Sequence, residues 1–159
     1  MDSIFERIIA LRGYNISMAS EEIKKIQSMN IERFKKWQNE KRWDMVKYHF
    51  NHNEFYKAKL NNILPSDWSD VPIMQKSDYQ QSISKLISEG FNTSSLYIAN
   101  TSGSSGHPFF FAKNKFCHSM TWALIKSRYS TYKINMNSKQ ARFFGISLKT
   151  SSWINEKLK

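Results

Sequence analysis

The chain has 159 residues, a mass of 18.8 kDa and a formal net charge of +11, with 40% hydrophobic and 14% aromatic residues. This hydrophobic content excludes a disordered chain and is enough for one domain with a buried core. The single cysteine, Cys117, excludes an internal disulfide framework and favours a reducing compartment. No apolar run is long enough for a signal peptide or a membrane span, so we expect a cytoplasmic protein without a membrane partner.

The positive charge is concentrated after residue 112, where ten Lys or Arg residues stand against one acidic residue, Glu156. Such a segment favours an anionic ligand. A biased base composition of the gene, indicated by the many Asn, Lys and Ile residues, would produce the same charge, and so would a segment that faces an acidic partner surface. No recognised nucleic-acid-binding motif accompanies the charge, so we regard nucleic acid as an unexpected partner.

The first 62 residues predict a helical region, and we divide the chain into two parts at this point, 1–62 and 63–159. Helical spacing of apolar residues predicts a helix over residues 2–12, ended by Gly13. Ser20 is expected to cap the second helix, and Asn30 to start a third that continues to about Leu60 with a break at residues 51–53.

Two histidines, His49 and His52, lie three positions apart on the predicted third helix. This spacing allows one metal ion to be shared, but no neighbouring residue completes a ligand set. We therefore expect a polar surface or packing role for both, and no metal site.

A linker is expected over residues 61–70, and a helix after Pro72. Ser77 and Gln80 suggest a capping box for that helix, which Gly90 would end. Asn114 is expected to cap a further helix from 115 to about 133, with Phe116, Met120, Ala123, Leu124 and Ser127 along one face. On this helix Cys117 is predicted to be a small buried side chain and not a nucleophile. A third strand is predicted over residues 141–147.

The most unusual stretch is a Gly/Ser-rich loop between two short apolar runs, residues 96–99 and 109–112, which predict two strands. Gly103 and Gly106 can adopt positive φ, so the loop backbone can fold into a concave cradle whose N–H groups converge on an anion. Four hydroxyl groups add donors to this cradle, and the loop is therefore predicted to hold phosphate. Its expected phosphate-binding residues are Thr101, Ser102, Gly103, Ser104, Ser105 and Gly106.

Two known glycine motifs do not fit this loop. A Walker A loop requires a Lys after its second glycine and a following helix. A nucleophile elbow has one residue more between its glycines than Gly103 and Gly106 have. A plain Gly/Ser turn at the tip of a hairpin remains open on composition alone.

Residues 101–108, Thr-Ser-Gly-Ser-Ser-Gly-His-Pro, resemble the phosphate loop of the adenylate-forming (AMP-binding) superfamily. Residues 68–79 resemble the Pro-Ile-x-x-Lys-x-Asp segment of one branch, which contains the phenylacetate–coenzyme A ligases and related capsule-biosynthesis proteins. Residues 43–56 resemble the aromatic N-terminal helices of the same branch. Many members of the superfamily carry Lys after the proline of the loop, and this chain has Phe109.

The resemblance implies an α/β fold in which N-terminal helices precede the beginning, and only the beginning, of the adenylate-forming sheet domain. It also implies a reaction of ATP and Mg²⁺ with a carboxylic acid to give an acyl-adenylate, followed by transfer to coenzyme A or another acceptor. The adenine- and ribose-binding residues and the adenylation Lys of the family have no counterpart in these residues. We therefore expect the N-terminal portion of a longer ligase, inactive without its C-terminal portion and contributing no catalytic residue of its own.

A second hypothesis belongs to a different class of protein. In it the chain is a non-catalytic, basic helical protein that binds polyanions, and the Gly/Ser loop is only a turn. Binding that depends on nucleotide favours the first hypothesis, whereas salt-sensitive binding of polyanions without nucleotide dependence favours the second.

Overall fold

A computed structural model describes residues 4–101 and 108–139 of the chain. The described residues form mainly helices and one small antiparallel sheet of two strands, which confirms a mixed helix and sheet composition. The third strand predicted over residues 141–147 lies outside the described residues. The elements in chain order are α1 (Ile4–Leu11), α2 (Ile16–Gln27), α3 (Ile31–His52), α4 (Glu54–Lys59), α5 (Ile83–Leu86), β1 (Tyr97–Asn100), β2 (Phe110–Lys113) and α6 (Lys115–Thr131).

The hydrophobic core joins the first two helices to the last one. Ile16, Ala19 and Ile23 follow one another at helical spacing on α2, and this face packs along α6. Ala19 of α2 and Ala123 of α6 are both fully buried, and their small side chains let the two backbones approach closely. Ile9 of α1 completes the buried set, and four partly buried side chains cover it: Phe5, Tyr14, Met120 and Trp122.

Asparagine side chains cap the N-termini of four helices. The side-chain oxygens of Asn30 and Asn114 accept hydrogen bonds from backbone N–H groups three residues ahead, at 2.9 and 2.8 Å, which confirms both predicted helix starts. Asn15 caps α2 and Asn53 caps α4 in the same way. Asn53 also ends α3, so the predicted break around residues 51–53 is confirmed.

The predicted cap at Ser20 is wrong. The cap lies five residues earlier, at Asn15, whose side chain accepts from the N–H of Met18, so helix α2 begins at Ile16. Ser20 therefore lies inside the helix, where its hydroxyl donates to the carbonyl oxygen of Ile16 at 2.8 Å.

The continuous helix predicted after Pro72 is also wrong. This region forms a 3₁₀ turn, Lys76–Tyr79, and then only the short helix α5. The capping box uses Gln75 and Asp78, and not Ser77 and Gln80. The carboxylate of Asp78 accepts from the N–H of Gln75 at 2.7 Å and from the ammonium of Lys59 on α4 at 2.6 Å. These contacts fix a tight turn against α4, which the local sequence pattern does not encode.

The orientation of α6 differs from the prediction. Cys117 is exposed, so the prediction of a buried cysteine is wrong. The buried positions are His118, Ser119 and Ala123. Two polar side chains can be buried here because each has a partner on the same helix: Ser119 donates to the carbonyl oxygen of Lys115, and His118 accepts from the indole of Trp122.

Helices α1 and α6 are also joined by an ion pair between Glu6 and Lys126. The Glu6 side chain is 9% exposed, whereas the Asp44 side chain of the pair Lys41–Asp44 is 64% exposed. We expect Glu6→Gln to lower the free energy of unfolding by about 1–2 kcal/mol, because the buried hydrogen bond from Lys126 loses its carboxylate charge. The matched exposed change, Asp44→Asn, should lower the free energy of unfolding by about 0.5 kcal/mol or less. Urea titrations of both variants measure the two effects. Equal effects of the two substitutions would show that the Glu6 pair does not hold the helices together.

Candidate phosphate-binding site

Strands β1 and β2 form the hairpin that carries the Gly/Ser loop. The strands pair in antiparallel register, with Tyr97 opposite Lys113 at one end and Asn100 opposite Phe110 at the other. The two strands predicted from the apolar runs are thus confirmed, each shifted by one residue. A strand follows the loop, so the hairpin does not have the loop-to-helix geometry of a Walker A motif.

Thr101 closes the neck of the loop. Its backbone N–H donates to the carbonyl oxygen of Phe109 at 2.9 Å, and its side-chain oxygen accepts from the N–H of Phe109 at 3.0 Å. The threonine side chain therefore supplies the last hydrogen bond between the two strands before the loop begins. Of the six predicted phosphate-binding residues, Thr101 is the described one. The other five lie outside the described residues: Ser102, Gly103, Ser104, Ser105 and Gly106.

An aromatic row, consisting of Phe55, Tyr79, Phe109 and Phe111, includes the residue that directly follows Pro108. Tyr79 lies between Phe55 and Phe109, with ring centroids at 5.8 and 6.1 Å, and Phe109 stacks on Phe111 at 6.3 Å. All four rings are half-buried. Edge-to-face and offset contacts of this kind orient the rings as well as burying apolar area.

The aromatic row brings together three stretches that are far apart in the sequence. It takes one ring from residues 43–56, one from residues 68–79, and two, Phe109 and Phe111, from the chain that follows the loop. The Lys59–Asp78 ion pair joins the same turn to α4. The hydrogen bond from Lys59, with a second from the N–H of Gln75, holds the pKa of Asp78 below its ordinary value.

Two basic side chains near the junction of β2 and α6 make contacts within the fold. The ammonium of Lys113 donates to the hydroxyl of Thr121 at 3.1 Å and lies 5.5 Å from the centre of the Phe111 ring. Lys113 is also at the end of β2 that is distant from the loop. The ammonium of Lys115 lies next to Gly13. Within the described part of the chain, these two ammonium groups therefore serve contacts of the fold.

The two histidines on α3 take separate partners. His49 Nδ1 lies 3.0 Å from the hydroxyl of Ser88, and burial lowers the pKa of His49. His52 Nδ1 lies 3.8 Å from a carboxylate oxygen of Glu89. Within residues 4–101 and 108–139, no group of three or more His, Cys, Asp or Glu side chains is placed to hold a metal ion.

Two residues near the hairpin were not singled out from the sequence. Tyr79 ends the stretch that resembles the Lys-x-Asp segment, but a contact with Phe109, thirty positions later, has no local signal. His118 is a polar residue at a buried position of α6, next to Tyr97 of the hairpin, and it breaks the apolar periodicity from which buried faces are predicted.

The Tyr79–Phe109 contact can be measured by a double-mutant cycle. We expect Tyr79→Leu and Phe109→Leu to be coupled by about 0.5–1.5 kcal/mol in the free energy of unfolding, because each variant removes the same edge-to-face contact. A cycle of Tyr79→Leu with Phe34→Leu serves as a control, since Phe34 stacks on Trp37 of its own helix. A coupling energy of zero for the first pair would show that the row does not support the loop.

Comparisons of the chain with protein-family models, with curated proteins and with solved structures give no match. None of the helices in the described part of the chain combines the length and the apolar character needed to cross a membrane.

Proposed function

We propose that the loop formed by Thr101, Ser102, Gly103, Ser104, Ser105 and Gly106 binds the β- and γ-phosphates of ATP. In this proposal the chain is the N-terminal part of an acyl-adenylating ligase of the phenylacetate–coenzyme A ligase type. The complete α/β sheet domain of that family, and the division of the chain at residues 62 and 63, belong to the same proposal.

The convergence of three separate stretches on the neck of the loop carries this proposal. Two of the stretches that resemble the ligase branch, residues 43–56 and 68–79, contribute Phe55 and Tyr79, and Phe109 directly follows the third stretch, residues 101–108. A flexible Gly/Ser turn needs no such support, whereas a loop that positions phosphates benefits from rigid neighbouring elements. Thr101 adds a second argument: its oxygen accepts from Phe109, which leaves its hydroxyl hydrogen to donate to a phosphate oxygen.

The reaction follows from the chemistry of this ligand. A carboxylate oxygen forms a bond to the α-phosphorus of ATP, the bond from that phosphorus to the α–β bridging oxygen breaks, and pyrophosphate leaves. Backbone N–H and hydroxyl groups directed at the departing phosphates stabilise the charge that develops there. Mg²⁺ would be held by phosphate oxygens and supply further charge neutralisation. In a second step coenzyme A or another acceptor takes the acyl group.

The remaining contacts of the nucleotide come from elsewhere in this proposal. The adenine pocket, the ribose-binding acid and the adenylation Lys would belong to a C-terminal portion that acts as the partner of these residues. Because the reaction consumes ATP and coenzyme A, we place the protein in the cytoplasm.

Calorimetric competition with the full chain tests which ligand is bound. We expect Mg-ATP to bind weakly, with a dissociation constant of about 1 mM, because only one wall of the nucleotide site is involved. Mg-pyrophosphate should compete with it, and AMP should not, since AMP lacks the phosphates that the loop holds. Heparin binding that is strong, falls steeply with salt and is unaffected by pyrophosphate would instead support the polyanion-binding hypothesis.

A further inference from the structure

His118 is buried at the point where the hairpin, the N-terminal helices and α6 meet. It is 5% exposed. Its ring stacks on Tyr97 of β1 with centroids 4.0 Å apart, and it lies 4.7 Å from the ring of Tyr14 in the turn between α1 and α2. Trp122, one turn further along α6, contacts it at right angles. A single side chain thus contacts three parts of the fold.

The hydrogen bonds of His118 define its protonation state. The indole Nε1–H of Trp122 donates to His118 Nε2 at 3.0 Å, and an indole can only donate. Nε2 is therefore unprotonated and the single ring proton lies on Nδ1. Nδ1 is buried without a hydrogen-bond partner among the described residues. A second proton can only be added at Nε2, which requires that the bond to Trp122 break.

The described surroundings of His118 disfavour a positive ring. Burial, with the nearby ammonium of Lys113, lowers the pKa of His118 below its ordinary value of 6.5. The carboxylate of Glu6 is held by Lys126, and that of Glu22 lies 3.9 Å from Lys25. The charged and titratable groups on the elements around the ring are Glu6 and Arg7 on α1, Arg12 and Tyr14 in the turn, Glu21, Glu22, Lys24 and Lys25 on α2, Tyr97 on β1, Lys113 on β2, and Lys115, Cys117, Lys126, Arg128 and Tyr129 on α6.

We propose that His118 is a pH-sensitive joint: neutral, it locks the loop-bearing hairpin onto the helices, and its protonation at Nε2 releases Trp122 and loosens the hairpin. The inference is independent of the proposed function, because it depends on no ligand of the loop. Acidification would then loosen the hairpin first, and α2 would stay packed on α6 to a lower pH.

The sign of the pH effect follows from the lowered pKa. Above pH 6.5 both the folded and the unfolded chain carry a neutral His118, and the stability is complete. As the pH falls from 6.5 toward the lower folded-state pKa, the unfolded chain takes up the proton first. The folding equilibrium constant therefore falls, by up to about tenfold per pH unit for this one group.

Hydrogen exchange and histidine NMR on the full chain test the joint. Between about pH 7.5 and 5.5, amide protection in β1 and β2, corrected for intrinsic exchange, should fall more than protection in α2. His118→Phe keeps a stacking ring and removes the titration, so its hairpin protection should depend less on pH. His52→Gln, at a half-exposed histidine, is the matched control and should behave as the wild-type chain does.

Two results would overturn the proposal. One is a wild-type ¹⁵N spectrum in which His118 carries its neutral proton on Nε2, or is already charged at pH 6.5. The other is hairpin exchange whose pH dependence is the same in His118→Phe. If that variant does not fold, Trp122→Phe supplies the second test: removing the indole donor should raise the titration midpoint of His118, and an unchanged midpoint contradicts the mechanism.

Discussion

Replacing Ile23 by alanine is expected to lower the free energy of unfolding by about 2–5 kcal/mol, one of the largest effects of a single substitution in this chain. Ile23 is 5% exposed and belongs to the core shared by α1, α2 and α6. Alanine loses the transfer free energy of three carbon atoms and leaves a cavity. The surrounding Ala19 and Ala123 are too small to fill it, so relaxation should recover little of the loss.

Met18 provides the control for this substitution. It lies on the same helix and is 47% exposed. Met18→Ala should change the free energy of unfolding by about 0.5 kcal/mol or less, since alanine also favours the helix. Urea titrations of both variants give the two values. If Ile23→Ala cost no more than Met18→Ala, the α2–α6 contact would not be the core that stabilises the fold.

Replacing Gly103 by valine is expected to reduce the affinity for Mg-pyrophosphate by about tenfold or more, corresponding to about 1.4 kcal/mol. The proposed cradle requires backbone N–H groups to converge on the anion. A branched Cβ disfavours the positive φ values that such a cradle uses and also blocks the approach of phosphate. Folding should change much less than binding, which circular dichroism and urea titration can establish on the same sample.

A graded series of variants separates the contributions of the loop backbone and of a loop hydroxyl to pyrophosphate affinity. Ser104→Ala removes one hydroxyl donor and leaves the backbone unchanged, so its effect should be the milder of the two, with an upper limit of about 1.5–3 kcal/mol for a hydrogen bond to a charged group. Gly106→Val should resemble Gly103→Val. Unchanged pyrophosphate affinity in both folded glycine variants would exclude the loop as the phosphate site.

The hairpin and several helix ends could be predicted because their causes are local. Asn30 and Asn114 cap helices through backbone groups only three residues away, and the apolar runs on both sides of the loop are short and bounded by turn residues. The local pattern was insufficient where contacts with distant residues determine the backbone conformation. Asp78 pairs with Lys59 on another helix, and this contact replaces the predicted helix after Pro72 by a tight turn.

The buried face of α6 illustrates the same limit. Of the predicted face with Phe116, Met120, Ala123, Leu124 and Ser127, Ala123 is buried, but Phe116 and Leu124 are 48% and 45% exposed, and the buried positions include His118. The difference arises because Trp122 and Tyr97 provide a hydrogen bond and a stacking surface for an imidazole. For the loop itself the prediction still rests on the identity of its glycine and hydroxyl residues.

The most direct test of the central claim is the location of the nucleotide on the chain. Uniformly ¹⁵N-labelled protein would be titrated with Mg-ATP, Mg-pyrophosphate and AMP while backbone amide shifts are followed. The proposed function predicts that Mg-ATP and Mg-pyrophosphate shift the amides of residues 101–106 most, that AMP does not, and that Gly103→Val abolishes the shifts. Largest shifts along the basic helix α6, with the amides of residues 101–106 unchanged, would contradict it.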